Sequence, residues 1–213
     1  METKGSKELE LAYDFVTQSH RHIFLTGRAG TGKTTFLHNL QKSCPKRIAI
    51  AAPTGVAAIN AGGVTLHSLF QLPFGPLIPS TDGTINETLR SIHFRKNKIK
   101  LLKSIDLLVI DEISMVRPDI LDAIDSILRR FRDRDKLFGG VQLLMIGDLF
   151  QLPPVIKENE WNILQPYYKT VYFFSSLAYQ NANPVQIELT KVFRQSDRKF
   201  ISLLESVRNS GLD

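Results

Sequence analysis

The feature that most constrains this chain is the glycine-rich loop of residues 27–34, which has the pattern G-x-x-x-x-G-K-T. A short β-branched and aromatic run precedes the loop, and a helix-forming segment follows it up to Pro45. In this strand–loop–helix context the backbone N–H groups of such a loop surround phosphate oxygens. A glycine-rich turn without a ligand is the alternative. The candidate nucleotide-binding residues are Gly27, Gly30, Thr31, Gly32, Lys33, Thr34 and Thr35.

Short apolar runs alternate with amphipathic segments along the rest of the chain, which predicts strands that alternate with helices. Such alternation requires crossover connections, and therefore a mostly parallel sheet with helices on both faces. We predict one α/β domain in which residues 71–103, rich in proline and glycine and then in lysine, form an insertion. The predicted strands are 22–27, 47–52, 107–111 and 142–147, with 170–174 and 185–189 as further candidates. The predicted helices are 6–17, 33–43, one from the Thr54 cap to about Ala61, one that begins near Pro118, and 197–209.

Two adjacent acids, Asp111 and Glu112, follow the apolar run LLVI. Ligands of parallel sheets bind at the carboxyl ends of the strands, where these acids are expected to lie. Asp111 and the Thr34 hydroxyl are candidate Mg²⁺ ligands, while Glu112 is a candidate base for the attacking water. Lys33 is the candidate partner of the β- and γ-phosphates. Two solvated acids at a strand end are the alternative interpretation.

Two later polar residues are weaker candidates. Gln151 follows the 142–147 strand and can contact either a γ-phosphate or the attacking water, but a proline-stiffened loop with a solvent-facing glutamine fits equally well. Arg194 follows the last predicted strand, and an arginine near a γ-phosphate stabilises the charge of the transition state. A lone arginine in a loop is more often a surface residue.

The net charge is +6, with a sequence pI near 9.5, which weakly favours an anionic partner. Six cations between residues 90 and 103 are interrupted by no acid, so they form either a solvated helix face or a phosphate-backbone track. Cys44 is the only cysteine, which excludes an intrachain disulfide and a thiolate zinc cluster. Apolar stretches are too short to cross a bilayer, so we expect no membrane partner and an intracellular, cytoplasmic or nucleoid-associated location.

The chain resembles the petite-integration-frequency (PIF) family of 5′-to-3′ DNA helicases, close to the RecD class of superfamily one. The matching stretches occur in the order of the family and cover most of the chain: IFLTGRAGTGKTTFL, APTGVAAINAGGVTLHSLF, LLVIDEISM, MIGDLFQLPPV and LTKVFRQSD. The resemblance implies a RecA-like ATPase domain, ATP and Mg²⁺ as cofactors, and a role in DNA repair, telomere or genome maintenance. It also implies single-stranded and forked duplex DNA as partners, and we expect a monomer.

The resemblance also assigns roles to individual residues. Lys33, Thr34, Asp111 and Glu112 match the phosphate contact, the two metal contacts and the catalytic base, while Gln151 and Arg194 match γ-phosphate sensors. The segments that contain Thr54, Gly55 and His67 match the stretch that touches single-stranded DNA, with Phe70 favoured as a core residue. The 71–103 insertion matches a small wedge-like subdomain, which makes Lys96 and Lys98 candidate DNA contacts.

Two departures from the family pattern qualify these expectations. The glutamine that reads adenine in the family has no counterpart here, because Leu9 or Glu10 falls at its place. The second RecA-like domain lies outside these 213 residues, so we expect this chain alone to bind ATP weakly, to hydrolyse it poorly and to unwind nothing. A stand-alone P-loop ATPase or kinase that does not act on DNA, and a non-catalytic nucleotide-binding module, are the alternative functions.

Overall fold

The computed structural model describes residues 6–79 and 87–193, and these residues form a sheet in which every pair of neighbouring strands is parallel. The strand order is β3-β2-β4-β5-β1-β6. The parallel sheet predicted from the alternation of strands and helices is therefore confirmed. The strands are Ile23–Gly27 (β1), Ile48–Ala52 (β2), Val64–Thr65 (β3), Leu107–Ile110 (β4), Gln142–Gly147 (β5) and Val185–Leu189 (β6).

Helices connect these strands, and several begin where the sequence carries a capping residue. The Thr54 hydroxyl accepts a hydrogen bond from the backbone N–H of Ala57, as predicted for a helix that starts there. Pro118 occupies the first turn of the longest helix in the described residues, where its missing N–H costs nothing. The helices are Lys7–Gln18 (α1), Lys33–Ser43 (α2), Gly55–Ala61 (α3), Leu66–Phe70 (α4), Glu87–Ser91 (α5), Lys96–Ser104 (α6), Pro118–Phe131 (α7), Glu158–Leu164 (α8) and Leu177–Ala182 (α9).

The candidate strand at 170–174 is wrong. The chain instead makes a short 3₁₀ turn, Phe173–Ser175. The hydroxyls of Thr170 and Ser175 are hydrogen-bonded at 2.6 Å, and the Ser175 hydroxyl also accepts from the Thr170 N–H. These local bonds fold the segment back on itself, and Phe173 is buried in the core. Hydrogen bonds of the two hydroxyls therefore favour a turn, although the residues of the segment have a high propensity for β-strands. The predicted helix 197–209 lies outside the described residues.

Two apolar layers cover the two faces of the sheet. Successive residues of each strand point to opposite faces, so that Leu108 and Ile110 of β4 join the cluster that contains α7, while Leu107 and Val109 join the cluster that contains α1 and α2. All four residues are fully buried. The strands are therefore apolar on both faces, as continuous runs such as LLVI predict. Within the described residues, no helix has the length and apolarity needed to cross a membrane.

The described part of the predicted 71–103 insertion packs against α7. Leu72, Leu89 and Leu102 are buried in the same cluster as the α7 side chains. The Arg130 guanidinium donates to the Leu89 carbonyl at 2.8 Å, which ties α5 to the end of α7. Of its described residues, 71–79 form a loop and α5 and α6 follow, which agrees with the prediction of a stretch that is loop-rich at first and partly helical later.

A buried ion pair joins the insertion to the start of α7. The Arg117 guanidinium donates to both carboxylate oxygens of Asp119, at 2.8 and 2.9 Å, and to the Gly75 carbonyl at 2.7 Å. Asp119 also accepts from the Leu77 N–H at 3.0 Å. The Asp119 side chain is fully buried and that of Arg117 is 13% exposed. The pair therefore fixes the path of residues 75–77, because Arg117 binds its first residue and Asp119 binds its last.

Replacement of Arg117 by methionine should lower the free energy of unfolding by about 3–5 kcal/mol, because it leaves the Asp119 carboxylate buried without its counter-charge. Lys136→Met is the control, since it breaks the largely exposed Asp133–Lys136 pair and should change stability far less. Urea unfolding followed by circular dichroism measures both variants. Similar losses in the two variants would contradict the structural role of the buried pair.

Candidate nucleotide site and nucleic-acid face

The loop between β1 and α2 is held tightly against the sheet. A Cβ atom on Gly27 would lie 2.8 Å from the Leu189 carbonyl oxygen and 2.9 Å from the Thr31 hydroxyl, so only glycine fits there. The Thr31 hydroxyl donates to the Arg28 carbonyl at 2.8 Å, and Gly32 begins α2 in the left-handed conformation, with φ of 92°. The Lys33 ammonium donates to the carbonyls of Gly27 and Arg28, at 2.6 and 3.0 Å. The lysine therefore lies over the loop it belongs to, with Thr34 and Thr35 exposed beside it.

Asp111 and Glu112 follow the last residue of β4, as the sequence predicts. Burial raises the pKa of Asp111, and the positive charge of Lys33 opposes that rise. Burial, followed by the Asp111 charge, raises the pKa of Glu112, again against Lys33. The positive charge of Lys33 therefore favours the ionised form of both carboxyl groups. Glu112 also has a left-handed backbone, with φ of 52° and ψ of 45°, which is costly for a residue with a side chain.

Asp148 connects the loop after β5 to these acids, and we did not predict it. It is 2% exposed, and its negative charge contributes to the raised pKa of Glu112. The Gln151 side-chain amide donates to the Asp148 carboxylate at 3.3 Å, so Gln151 is held beside the acids although it is exposed. The sequence signal was the position of Asp148 directly after a buried strand, the same signal that identified Asp111.

These contacts bring the principal predicted groups to one edge of the sheet. β1, β5 and β4 are adjacent and parallel, so their carboxyl ends lie side by side. The charge of Lys33 lowers the pKa values of Asp111 and Glu112, while the charge of Asp148 raises that of Glu112. Asp148 in turn accepts a hydrogen bond from Gln151. Arg194 lies outside the described residues, and its role stays a prediction.

A second set of predicted residues lies around α3, α4 and α6. Gly55 is exposed at the start of α3, and Thr54 and His67 line one cavity of about 170 Å³. Phe70 is fully buried, which confirms its expected place in the core. The Lys98 ammonium donates to the Ser68 carbonyl at 3.2 Å, and this bond ties α6 to α4. Lys96 is exposed on the same helix. The structure thus brings part of the basic run beside the His67 segment.

The family model described as PIF1-like helicase matches residues 6–211. The chain belongs to the PIF1-like helicase family. The match spans the loop, the strand-end acids, the Gln151 segment and the His67 segment described above.

Curated relatives of the chain are much longer than 213 residues. The chain is 36% identical over 206 residues to the ATP-dependent DNA helicase RRM3 of Saccharomyces cerevisiae, which covers 94% of this chain and 27% of that protein. It is 40% identical over 189 residues to the ATP-dependent DNA helicase PIF1 of Homo sapiens, which covers 87% of this chain and 27% of that protein. The chain therefore spans about a quarter of the length of these relatives.

Solved structures of this family resemble the fold closely. Bacteroides Pif1 bound to single-stranded DNA matches with a TM-score of 0.88 at 47% identity, over 100% of this chain and 48% of that chain. Pif1 of Bacteroides sp. in complex with ADP-AlF4 matches with a TM-score of 0.86 at 46% identity, over 100% of this chain and 48% of that chain. The chain spans about half of each. The PIF1-like family and the P-loop fold predicted from the motifs are confirmed.

Two apolar side chains border the loop of this PIF1-like chain. A Cβ atom on Gly32 would lie 3.7 Å from the Phe193 ring and 3.9 Å from the Leu9 side chain. The Phe193 N–H donates to the Gly30 carbonyl at 2.8 Å, which fixes the segment after β6 against the loop. Leu9 is one of the two residues, with Glu10, that the resemblance places near the adenine-reading glutamine of the family. Phe193 was missed because nothing local in the sequence connects it to the loop.

The pKa directions predict how Glu112 affects stability. Because burial and Asp111 raise its pKa above the usual 4.5, its charged form is disfavoured in the folded state and destabilises the fold at pH 7. Glu112→Gln should therefore raise the melting temperature of the nucleotide-free protein at pH 7. The gain should shrink as the pH falls through the raised pKa, since the wild-type carboxyl then becomes neutral.

Thermal unfolding at several pH values between 4 and 8 measures this effect. The exposed Glu188 of β6 provides the control, because Glu188→Gln removes the same charge outside the site. A Glu112→Gln variant that is less stable than wild type at pH 7 would contradict the electrostatic account.

Proposed function

We propose that this chain is the first ATP-hydrolysing motor domain of a DNA helicase that moves along single-stranded DNA and unwinds forked duplexes. The observation that carries the proposal is the meeting of Lys33, Glu112 and Gln151 at one edge of the sheet. Family membership and the relatives named as ATP-dependent DNA helicases support it. Pif1 structures described as bound to single-stranded DNA and at forked duplex DNA support the DNA partners.

The loop is suited to exchange its internal contacts for phosphate contacts. The Lys33 ammonium now bonds two carbonyls of its own loop. Phosphate oxygens are better acceptors for it, because hydrogen bonds between charged groups are roughly twice as strong as neutral ones. The start of α2 adds its own partial positive charge and the N–H groups of its first turn. ATP binding would therefore draw Lys33 from Gly27 and Arg28 onto the terminal phosphates.

The residues at this edge fit Mg²⁺. The Thr34 hydroxyl and the Asp111 carboxylate are the hard oxygen ligands that this ion prefers. Thr34 lies in the first turn of α2, and Asp111 directly follows β4. A divalent cation would also compensate the negative charges of Asp111 and Asp148, which contribute to the raised pKa of Glu112 after burial. When bound, the ion would neutralise charge on the phosphates.

Glu112 and Gln151 are placed to act on water. Glu112 would orient a water molecule and accept its proton, and its raised pKa makes it a stronger base than a solvated glutamate. Gln151, held by Asp148, would contact the γ-phosphate or the same water. Arg194 would stabilise the charge that develops on the transferred phosphoryl group.

Substitutions in the full-length protein test the nucleotide site. Lys33→Ala should abolish binding of a fluorescent ATP analogue, because the loop loses the cation that contacts the phosphates. Glu112→Gln should retain binding and lower turnover by roughly 10²–10⁴-fold, the usual contribution of a general base. Binding titrations and phosphate release with and without single-stranded DNA measure both effects.

Unchanged turnover in Glu112→Gln would remove Glu112 as the base. Phosphate transfer to an acceptor without any DNA effect would instead support the kinase alternative, and ATP binding without turnover in the full-length protein would support a non-catalytic module.

Neutralising Lys96 and Lys100 together should weaken the binding of single-stranded DNA. If both lysines contact phosphates, the plot of the log binding constant against the log salt concentration should become less steep by about 1.4. Both are exposed on α6. The matched control is Lys42→Gln with Lys169→Gln, which removes the same charge elsewhere. If both double variants flatten the slope equally, the basic run acts only through net charge.

A further inference from the structure

Phe74 is the most exposed large apolar side chain of the described residues, at 94% exposure. One exposed apolar residue needs no explanation by itself, but this ring is not alone. It stacks on the His67 ring with the two rings nearly parallel, at a centroid distance of 5.6 Å and an interplanar angle of 18°. The outer face of an aromatic pair is thereby presented to solvent.

The backbone that carries Phe74 is anchored on both sides. Leu72 and Leu77 are buried in the core that contains α7. Between them, the Gly75 carbonyl accepts from Arg117 and the Leu77 N–H donates to Asp119, the buried pair described above. Phe74 therefore projects from a fixed turn, so the exposure of its ring follows from the fold.

The surroundings of the ring pair favour a polyanion that carries flat rings. Burial, followed by the charge of Arg117, lowers the pKa of His67, so the imidazole under Phe74 is neutral at pH 7 and stacks as an aromatic ring. The cations come from α6, whose Lys98 is bonded to Ser68 beside His67. The cavity that His67 lines is also lined by Pro53 and Val155, which give it an apolar wall.

We propose that the Phe74–His67 pair is a stacking platform for a base of single-stranded nucleic acid. The proposal rests on the proposed function and adds to it a residue that the motifs did not identify. An aromatic platform beside cations binds single strands with little sequence preference, because every base has a flat face that can stack. Phe74 would hold one base while the lysines of α6 contact the backbone.

The test compares two probes in the full-length protein: a short oligothymidine and an abasic oligomer of the same length and charge. Phe74→Ala should lower the affinity for oligothymidine by about tenfold, within the range that alanine substitutions of stacking residues give, and should leave the abasic affinity unchanged. Phe74→Trp should retain the affinity for oligothymidine. Leu177→Ala is the control, because it removes an exposed apolar side chain, 54% exposed, from α9 and should change neither affinity.

A spectroscopic readout reports stacking directly. Trp161 is the only tryptophan of the chain, so Phe74→Trp in a Trp161→Phe background places the only indole of these 213 residues on the platform. The fluorescence that this indole adds to that of the Trp161→Phe protein should be quenched by oligothymidine and not by the abasic oligomer.

The outcomes separate this proposal from the proposed function. Wild-type binding of oligothymidine that survives Phe74→Ala, or an equal loss for both oligomers, would overturn the platform and leave the helicase proposal intact. Absence of single-strand binding by the wild-type protein, with ATP turnover that DNA does not change, would overturn the proposed function itself.

Discussion

Parallel pairing of β4, β5 and β1 is the constraint on which the rest of the structure depends. Because these three strands are neighbours and run in one direction, the segments that leave them emerge at one edge. The lysine loop, the strand-end acids and Asp148 each follow a different strand, yet their charges act on one another. The sheet therefore assembles a site from residues that are far apart in the chain.

The site holds an excess of partly buried negative charge around one lysine. Asp111, Glu112 and Asp148 are adjacent, and burial raises the pKa of the first two. Glu112 additionally lies in a left-handed backbone conformation. Such costs persist only where the surrounding fold imposes them. In the proposed function, the same charge excess would favour binding of a triphosphate together with a cation at this edge.

Arg117 lies between the edge that carries the strand-end acids and the turn that carries Phe74, because it is close to Glu112 in the chain and binds Gly75. The 3₁₀ turn Ile113–Met115 follows Glu112 and leads to Arg117, whose guanidinium fixes Gly75 and Asp119. Phe74 stands next to Gly75, and the charge of Arg117 acts on His67. A buried ion pair is an unusual anchor, because desolvation offsets much of its attraction. Its effect here is geometric, since it sets where the exposed turn lies.

The sequence by itself determined the local elements and the chemistry of the motifs. The strand, loop and helix around Lys33, the acids after β4 and the cap at Thr54 were all predictable, because each depends on residues close together in the chain. The segment 170–174 was mispredicted because two hydroxyls hydrogen-bond each other and fold it into a turn. Tertiary structure alone decided that the charge of Asp148 acts on Glu112, that Phe193 borders the loop, and that Arg117 anchors the turn of Phe74. These contacts join segments tens of residues apart, and no local periodicity or spacing encodes which distant partner a side chain meets.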